Sequence, residues 1–142
     1  MNYDNLKLKN QLCFPLYACS REIIKMYKPH LDHIGLTYTQ YIAMMVLWED
    51  ESCTVKELGQ KLFLDSGTLT PLLKRLEQEG LITRERSSED ERSLIVTLTK
   101  KGTQLKDDAI CIPTKMAEDM NLSSEEAHIL YTLLYKLLDS NK

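Results

Sequence analysis

The chain has 142 residues, 43% of them hydrophobic and 27% charged, and a net charge of −3. That is the make-up of one soluble globular domain long enough to bury a proper core, not of a disordered, fibrous or disulfide-framed chain. No run approaches the ~18 apolar residues of a membrane span and no signal-peptide pattern opens the chain, so a cytoplasmic protein is expected, with no membrane partner. Cys13, Cys19, Cys53 and Cys111 contain no C-x-x-C pair, and the histidines are few and scattered, so the cysteines read as thiols and neither a metal nor another cofactor is expected.

The first helical pattern runs from Leu12 to about Leu31, with Leu16, Ile23, Ile24 and Tyr27 apolar and Pro29 near its end. Proline is tolerated only in a first helical turn, so Pro15 asks for a helix that starts near Leu12–Cys13 or for a kink there. Thr37-Tyr38-Thr39-Gln40 has the form of a capping box and opens a second helix through Ile42, Met45, Val46 and Trp48. Thr54-Val55-Lys56-Glu57 repeats that form, and Val55, Leu58 and Leu62 then share one face of a short helix. Phe63 to Thr68 breaks it, with Asp65 or Ser66 suited to cap the next helix. Leu69, Leu72, Leu73 and Leu76 give that helix a buried stripe. Its other face carries Ser66, Thr68, Thr70, Pro71, Lys74 and Arg75, and Gly80 is placed to end it in a left-handed conformation.

Residues 82–86 and 93–98 are rich in β-branched side chains and read as a two-stranded hairpin around the polar turn of residues 87–91. Arg84, Arg86 and Arg92 flank its tip. Thr99 then caps a helix running to Pro113 or beyond, and Ser123-Ser124-Glu125-Glu126 opens a last one with Ile129, Leu130, Leu133, Leu134, Leu137 and Leu138 apolar.

Helix, turn, helix and charged hairpin in that order are the parts of a winged helix-turn-helix, which lays its second helix in the DNA major groove with the hairpin beside it. Small hydroxyl residues at the N-terminus of that helix allow close approach to bases and phosphates. Arginines in the wing would enter a minor groove or clamp phosphates. An isolated leucine-striped helix would read as core and an isolated arginine hairpin as a solvated edge; their order makes DNA binding the better reading. Arg92 has a second reading, an ion pair with Asp65 that holds the wing. Charge is distributed to match: residues 56–106 hold 10 Lys+Arg against 8 Asp+Glu, a net of +2, while the remainder is −5.

The expected fold is therefore mainly α, an α+β winged helix-turn-helix of about six helices with a two-stranded wing. It forms one domain over 1–142 with its DNA-binding region at 53–98. The helices over 1–35 and 100–142 carry more apolar surface than a small winged helix needs, and a second subunit is the physical use for it. A homodimer would also place two reading helices about 34 Å apart on a pseudo-palindromic operator in double-stranded DNA.

The segments 63–77, Asp90-Glu91-Arg92 and Leu98-Thr99-Lys100-Lys101-Gly102 resemble the MarR family of dimeric transcription regulators. The opening at 11–22, with Tyr27-Lys28-Pro29 and 36–41, is similar to the organic-hydroperoxide-sensing OhrR branch and its SarZ- and MgrA-type relatives. The resemblance covers nearly the whole chain and weakens after about Ile112. It implies a redox-active cysteine at Cys13, hydrogen-bonded by Tyr27 and Tyr38 of the partner subunit, with Tyr17 as a further candidate for hydrogen-bonding the thiol. It also implies a regulator, most simply a repressor, and not an enzyme.

The implied chemistry is sound. A thiolate attacks the peroxide, and a helix N-terminus and phenol donors favour the thiolate. The resulting sulfenic acid can be capped by a low-molecular-weight thiol or driven further up the oxidation ladder. Apolar neighbours such as Leu12, Phe14, Leu16 and Met44 would favour an organic over a hydrogen peroxide. Most intracellular cysteines are inert small hydrophobes, and the tyrosines are what set Cys13 apart. Cys19 is expected to be buried structure and Cys53 near the surface; Cys111 is a candidate resolving cysteine. Three other readings stay open: a repressor of the same fold that answers to a phenolic or drug-like molecule, a global oxidation-responsive regulator, and, least supported, a thiol peroxidase, for which no thioredoxin-like βαβ pattern is present.

Overall fold

The computed structural model describes residues 1–90 and 93–140. Two 3-10 turns, Asp4–Leu6 and Leu8–Asn10, lead into α1 (Cys13–Asp32) and α2 (Tyr38–Asp50). There follow β1 (Ser52–Thr54), α3 (Val55–Leu62), α4 (Ser66–Gln78), β2 (Ile82–Arg86), β3 (Leu94–Leu98), α5 (Lys100–Ala109), α6 (Ile112–Asp119) and α7 (Ser124–Ser140). The chain divides into two compact units, Met1–Ile112 and the remainder from Pro113.

Local chemistry sets most of these boundaries. Thr37 and Gln40 exchange both bonds of a capping box at the start of α2, and Thr54 and Glu57 do the same for α3. Asp65, in extended conformation, accepts the Thr68 amide at 2.7 Å and starts α4. Gly80 leaves α4 at φ +77°, a conformation glycine adopts without strain. Pro15 is the third residue of α1, where no amide donor is needed, so the helix opens at Cys13 without a kink.

The structure around the wing differs from the sequence expectation. The wing hairpin gains a third strand: β1 pairs antiparallel with β3, giving the order β1-β3-β2. Cys53 faces Val96 in that pairing and is buried, not near the surface; burial pushes its thiol up, and the Glu57 and Asp50 carboxylates add to the shift. The helix after the wing is interrupted at Ile110–Cys111, and α6 begins with Pro113 as its second residue, a position that needs no N–H. Thr99 does cap α5, accepting the Gly102 amide at 3.0 Å.

The core of the first unit gathers Leu47 and Met44 from α2, Leu58 from α3, the α4 stripe of Leu69, Leu73 and Leu76, and Val96 from β3, all fully buried. Each such side chain contributes roughly 2 kcal/mol of transfer free energy. α1 and α7 are different. α1 buries only Leu31 among its side chains, and α7 buries none. Leu12 beside α1 is 79% exposed and Tyr131 on α7 is 60% exposed. Cys19, expected to be buried, is exposed on α1 because that part of the helix is uncovered. Among the described residues no helix is long and apolar enough to cross a membrane.

Candidate nucleic-acid interface and thiol site

Burying the leucine stripe of α4 turns the opposite face outward. Ser66, Thr68, Thr70, Pro71, Lys74 and Arg75 are all exposed on it. The Thr70 hydroxyl donates to Ser66 O at 2.8 Å, which fixes its rotamer and leaves its lone pairs outward as acceptors. Arg75 lies along Glu79 at 3.5 Å with both side chains largely exposed, a contact weak enough to give way to a phosphate. Asp65 is committed to its cap; the Thr68 amide holds its carboxyl below the usual 3.8. The two positions that would complete the wing, Glu91 and Arg92, lie outside the described residues, and so does the Asp65–Arg92 pair.

The wing arginines separate. Arg86, at the far end of β2, is exposed. Arg84 is not placed like a free DNA contact. Its amide donates to Glu77 Oε2 and its Nη2 to Glu77 Oε1, both at 3.1 Å, and its side chain is only 21% exposed. The hydrogen bond from Arg84 holds the Glu77 carboxyl below its usual 4.5, with the guanidinium charge adding to the effect.

These two carboxylates give a pH dependence. Each has a lower pKa folded than unfolded, so the stability it contributes is complete above its ordinary value and is lost as pH falls. The urea midpoint is expected to drop between about pH 5 and pH 3, and Glu77→Gln to shallow that drop. An identical pH profile for the variant would show that the Arg84 contact contributes nothing.

Tyr27 of α1 and Tyr38 of α2 come together with ring centroids 4.9 Å apart. Tyr41, one turn along α2, lies 5.8 Å from Tyr27, 6.4 Å from Tyr38 and 6.4 Å from Trp48. Burial raises the Tyr27 phenol, and burial with the neighbouring phenols pushes Tyr41 up to about 12. Both stay protonated at neutral pH, so each phenol keeps a proton to donate. Tyr41 was not singled out by the sequence reading; the signal for it was the i, i+3 spacing from Tyr38 and the i, i+7 spacing to Trp48.

Cys13 is exposed as the first residue of α1. Tyr17 sits one turn on and accepts from Arg21 at 3.2 Å. Fourteen residues separate Cys13 from Tyr27, about 21 Å along a helix. One chain thus brings Tyr27 and Tyr38 together but keeps both away from its own Cys13. Cys111 is exposed in the break between α5 and α6. Of the apolar neighbours expected for the thiol, Leu12, Phe14 and Leu16 are exposed, whereas Met44 belongs to the core.

A family model described as transcriptional regulator SarA/Rot matches residues 25–109. The organic hydroperoxide resistance transcriptional regulator of Bacillus subtilis is 54% identical over 97% of this chain and 94% of its own. The HTH-type transcriptional regulator SarZ of Staphylococcus haemolyticus is 43% identical over 94% of this chain and 91% of its own. Among solved structures, reduced AbfR bound to DNA superposes with a TM-score of 0.81 at 37% identity, covering 99% of this chain and 98% of that one. Overoxidized AbfR bound to DNA superposes with a TM-score of 0.80 at 36% identity, with both chains fully covered.

Proposed function

The chain belongs to the MarR family of winged-helix transcription regulators, in its organic-hydroperoxide-sensing branch, and from that premise we propose that it works as a homodimer which holds double-stranded DNA when reduced and releases it when an organic hydroperoxide oxidises Cys13. The observation that carries this reading is the separation of Cys13 from the Tyr27–Tyr38 pair along an α1 that is mostly uncovered. A second copy packed on α1 and α7 covers that apolar surface and brings its own tyrosines to the thiol.

The chemistry runs in two steps. The Cys13 thiolate attacks the outer oxygen of ROOH; an S–O bond forms, the O–O bond breaks, and the alkoxide leaves as ROH after taking a proton from a tyrosine or water. The sulfenic acid then condenses with a low-molecular-weight thiol to a mixed disulfide and water, or with Cys111 of the other subunit to an intersubunit bridge. The overoxidized AbfR structure is a DNA complex. By analogy, the releasing state here is the bulky disulfide, which cannot stay in a packed interface and so shifts the spacing of the two α4 helices. Ser66, Thr68, Thr70, Pro71, Lys74 and Arg75 face the major groove, and Arg86 contacts the DNA from the wing.

A cleft of 480 Å³ favours a second reading, release by a small molecule. It is lined by Asp32, Leu36, Thr37, Gln40, Arg75 and Glu79, and so joins the α1–α2 turn to the reading helix. One titration separates the two. With DNA bound and followed by anisotropy, cumene hydroperoxide plus free cysteine is expected to release it, dithiothreitol to restore it, and salicylate to do neither. Release by salicylate with every thiol still reduced would move the cleft to first place.

A further inference from the structure

We propose that Glu77 and Arg84 form a clamp that sets the wing against the reading helix, so that Arg84 governs DNA affinity as a positioning residue without touching a phosphate. Seven residues separate the two, and the chain between them reverses through Gly80 and the buried Leu81. β2 is the outer strand of the sheet, bonded on one side only, to β3. Amides on the outer side of such a strand have no strand partner. The Arg84 amide is met there by Glu77 Oε2, while Glu77 Oε1 takes Nη2 of the same residue. One carboxylate thus bonds both the backbone and the side chain of a single wing residue.

The carboxylate belongs to the last turn of α4 and shares a helix face with Ser66, Thr70 and Lys74, which precede it at helical spacing. Any swing of the wing about the Gly80 turn has to break both bonds. Arg84 is opposite Val96, which is fully buried, so the clamp is anchored in the core at one end and on the reading helix at the other. The guanidinium has little left to offer DNA. Its side chain is 21% exposed, Nη2 is engaged, and Nε is buried with no acceptor among the described residues. Arg86, two residues on, is exposed at the end of β2.

A clamp and a phosphate contact leave different signatures in salt. Losing one phosphate contact lowers the slope of log K against log salt by about 0.9. Losing a positioning contact lowers affinity and leaves the slope unchanged. Affinity for a fixed double-stranded DNA is to be measured across a salt series for wild type, Glu77→Gln, Arg84→Met and the double variant, at a temperature where circular dichroism shows each to be folded. Each single variant is expected to bind about tenfold more weakly with the wild-type slope, and the double variant to lose no more than either single one. Arg86→Met in the same series is expected to lower the slope. The clamp is overturned if Arg84→Met lowers the slope while Glu77→Gln binds as wild type does. Should Glu77→Gln fail to fold, the slope of Arg84→Met alone decides between the two roles. None of these outcomes depends on Cys13, so the clamp and the peroxide-sensing proposal stand or fall separately.

Discussion

Cys13→Ser is expected to bind DNA as wild type does and to lose its response to cumene hydroperoxide and free cysteine entirely. The serine hydroxyl keeps nearly the same volume at the first residue of α1 but cannot attack an O–O bond at neutral pH. The tyrosines should matter through the other subunit. Cys13 and Tyr27 stand about 21 Å apart on one helix, and the Tyr38 ring packs against that of Tyr27 at a 52° tilt. Replacing both by phenylalanine removes the phenol donors and keeps the ring packing with Tyr41. Hydrogen bonds to a charged group contribute about 1.5–3 kcal/mol each, so Cys13 in the Tyr27→Phe, Tyr38→Phe homodimer should react at least about tenfold more slowly. Mixed dimers decide where the donors come from. One subunit carrying Cys13→Ser pairs with one carrying both phenylalanines; the single remaining thiol then faces intact tyrosines only if they are supplied across the interface. Its oxidation rate is expected to return to that of wild type. A rate as slow as in the doubly substituted homodimer would place the donors in the same chain.

Among the Gly→Ala changes, Gly102→Ala is expected to meet the tightest backbone contact and to be strongly destabilising. A β-carbon built at Gly102 lies 2.1 Å from Leu81 O and 3.1 Å from Leu98 Cδ2. Backbone, not a flexible side-chain tip, is what it meets. Leu81 O is also the acceptor for the Thr99 amide at 3.1 Å, and Gly102 O accepts Trp48 Nε1 at 2.9 Å. Making room for the methyl therefore disturbs the α5 cap, the exit from α4 and the tryptophan contact together. Overpacking usually costs 1–3 kcal/mol and more when backbone must move, so about 3 kcal/mol is expected, or a fall of roughly 10 °C in Tm for a chain of this size. Trp48, the one tryptophan of the chain, reports the same event as a shift in its emission. An unchanged Tm would mean that α5 slides to accept the methyl at no cost.

The parts of the fold that were legible in the sequence are those set by neighbours within four residues. Thr37–Gln40, Thr54–Glu57, Asp65–Thr68 and Thr99–Gly102 announce helix starts because a side chain and an amide of the same turn satisfy one another. The leucines of α4 announce a buried face by their spacing alone. What the sequence did not disclose depends on pairing across long separations. β1 is three residues long and exists only because Ser52 to Thr54 line up with Ile95 to Thr97. Its pairing is also what buries Cys53, which local sequence put at the surface. Arg84 has the residue type of a DNA contact, and only the return of β2 past the end of α4 shows Glu77 waiting for it. Tyr41 joins Tyr27 and Tyr38 through the packing of α1 on α2, a contact that no short window contains. The apolar residues along α1 and α7 were legible from their spacing, and in one chain Leu12 and Tyr131 are exposed.

The most direct measurement is a joint one on a single sample: DNA release followed by anisotropy while cumene hydroperoxide is added in the presence of free cysteine, with the state of each cysteine read by intact-protein and peptide mass spectrometry at every point. Release is expected to track disulfide formation at Cys13, one adduct per subunit at full release, with Cys19 and Cys53 still thiols. DNA release that is complete while Cys13 remains a free thiol would contradict that expectation.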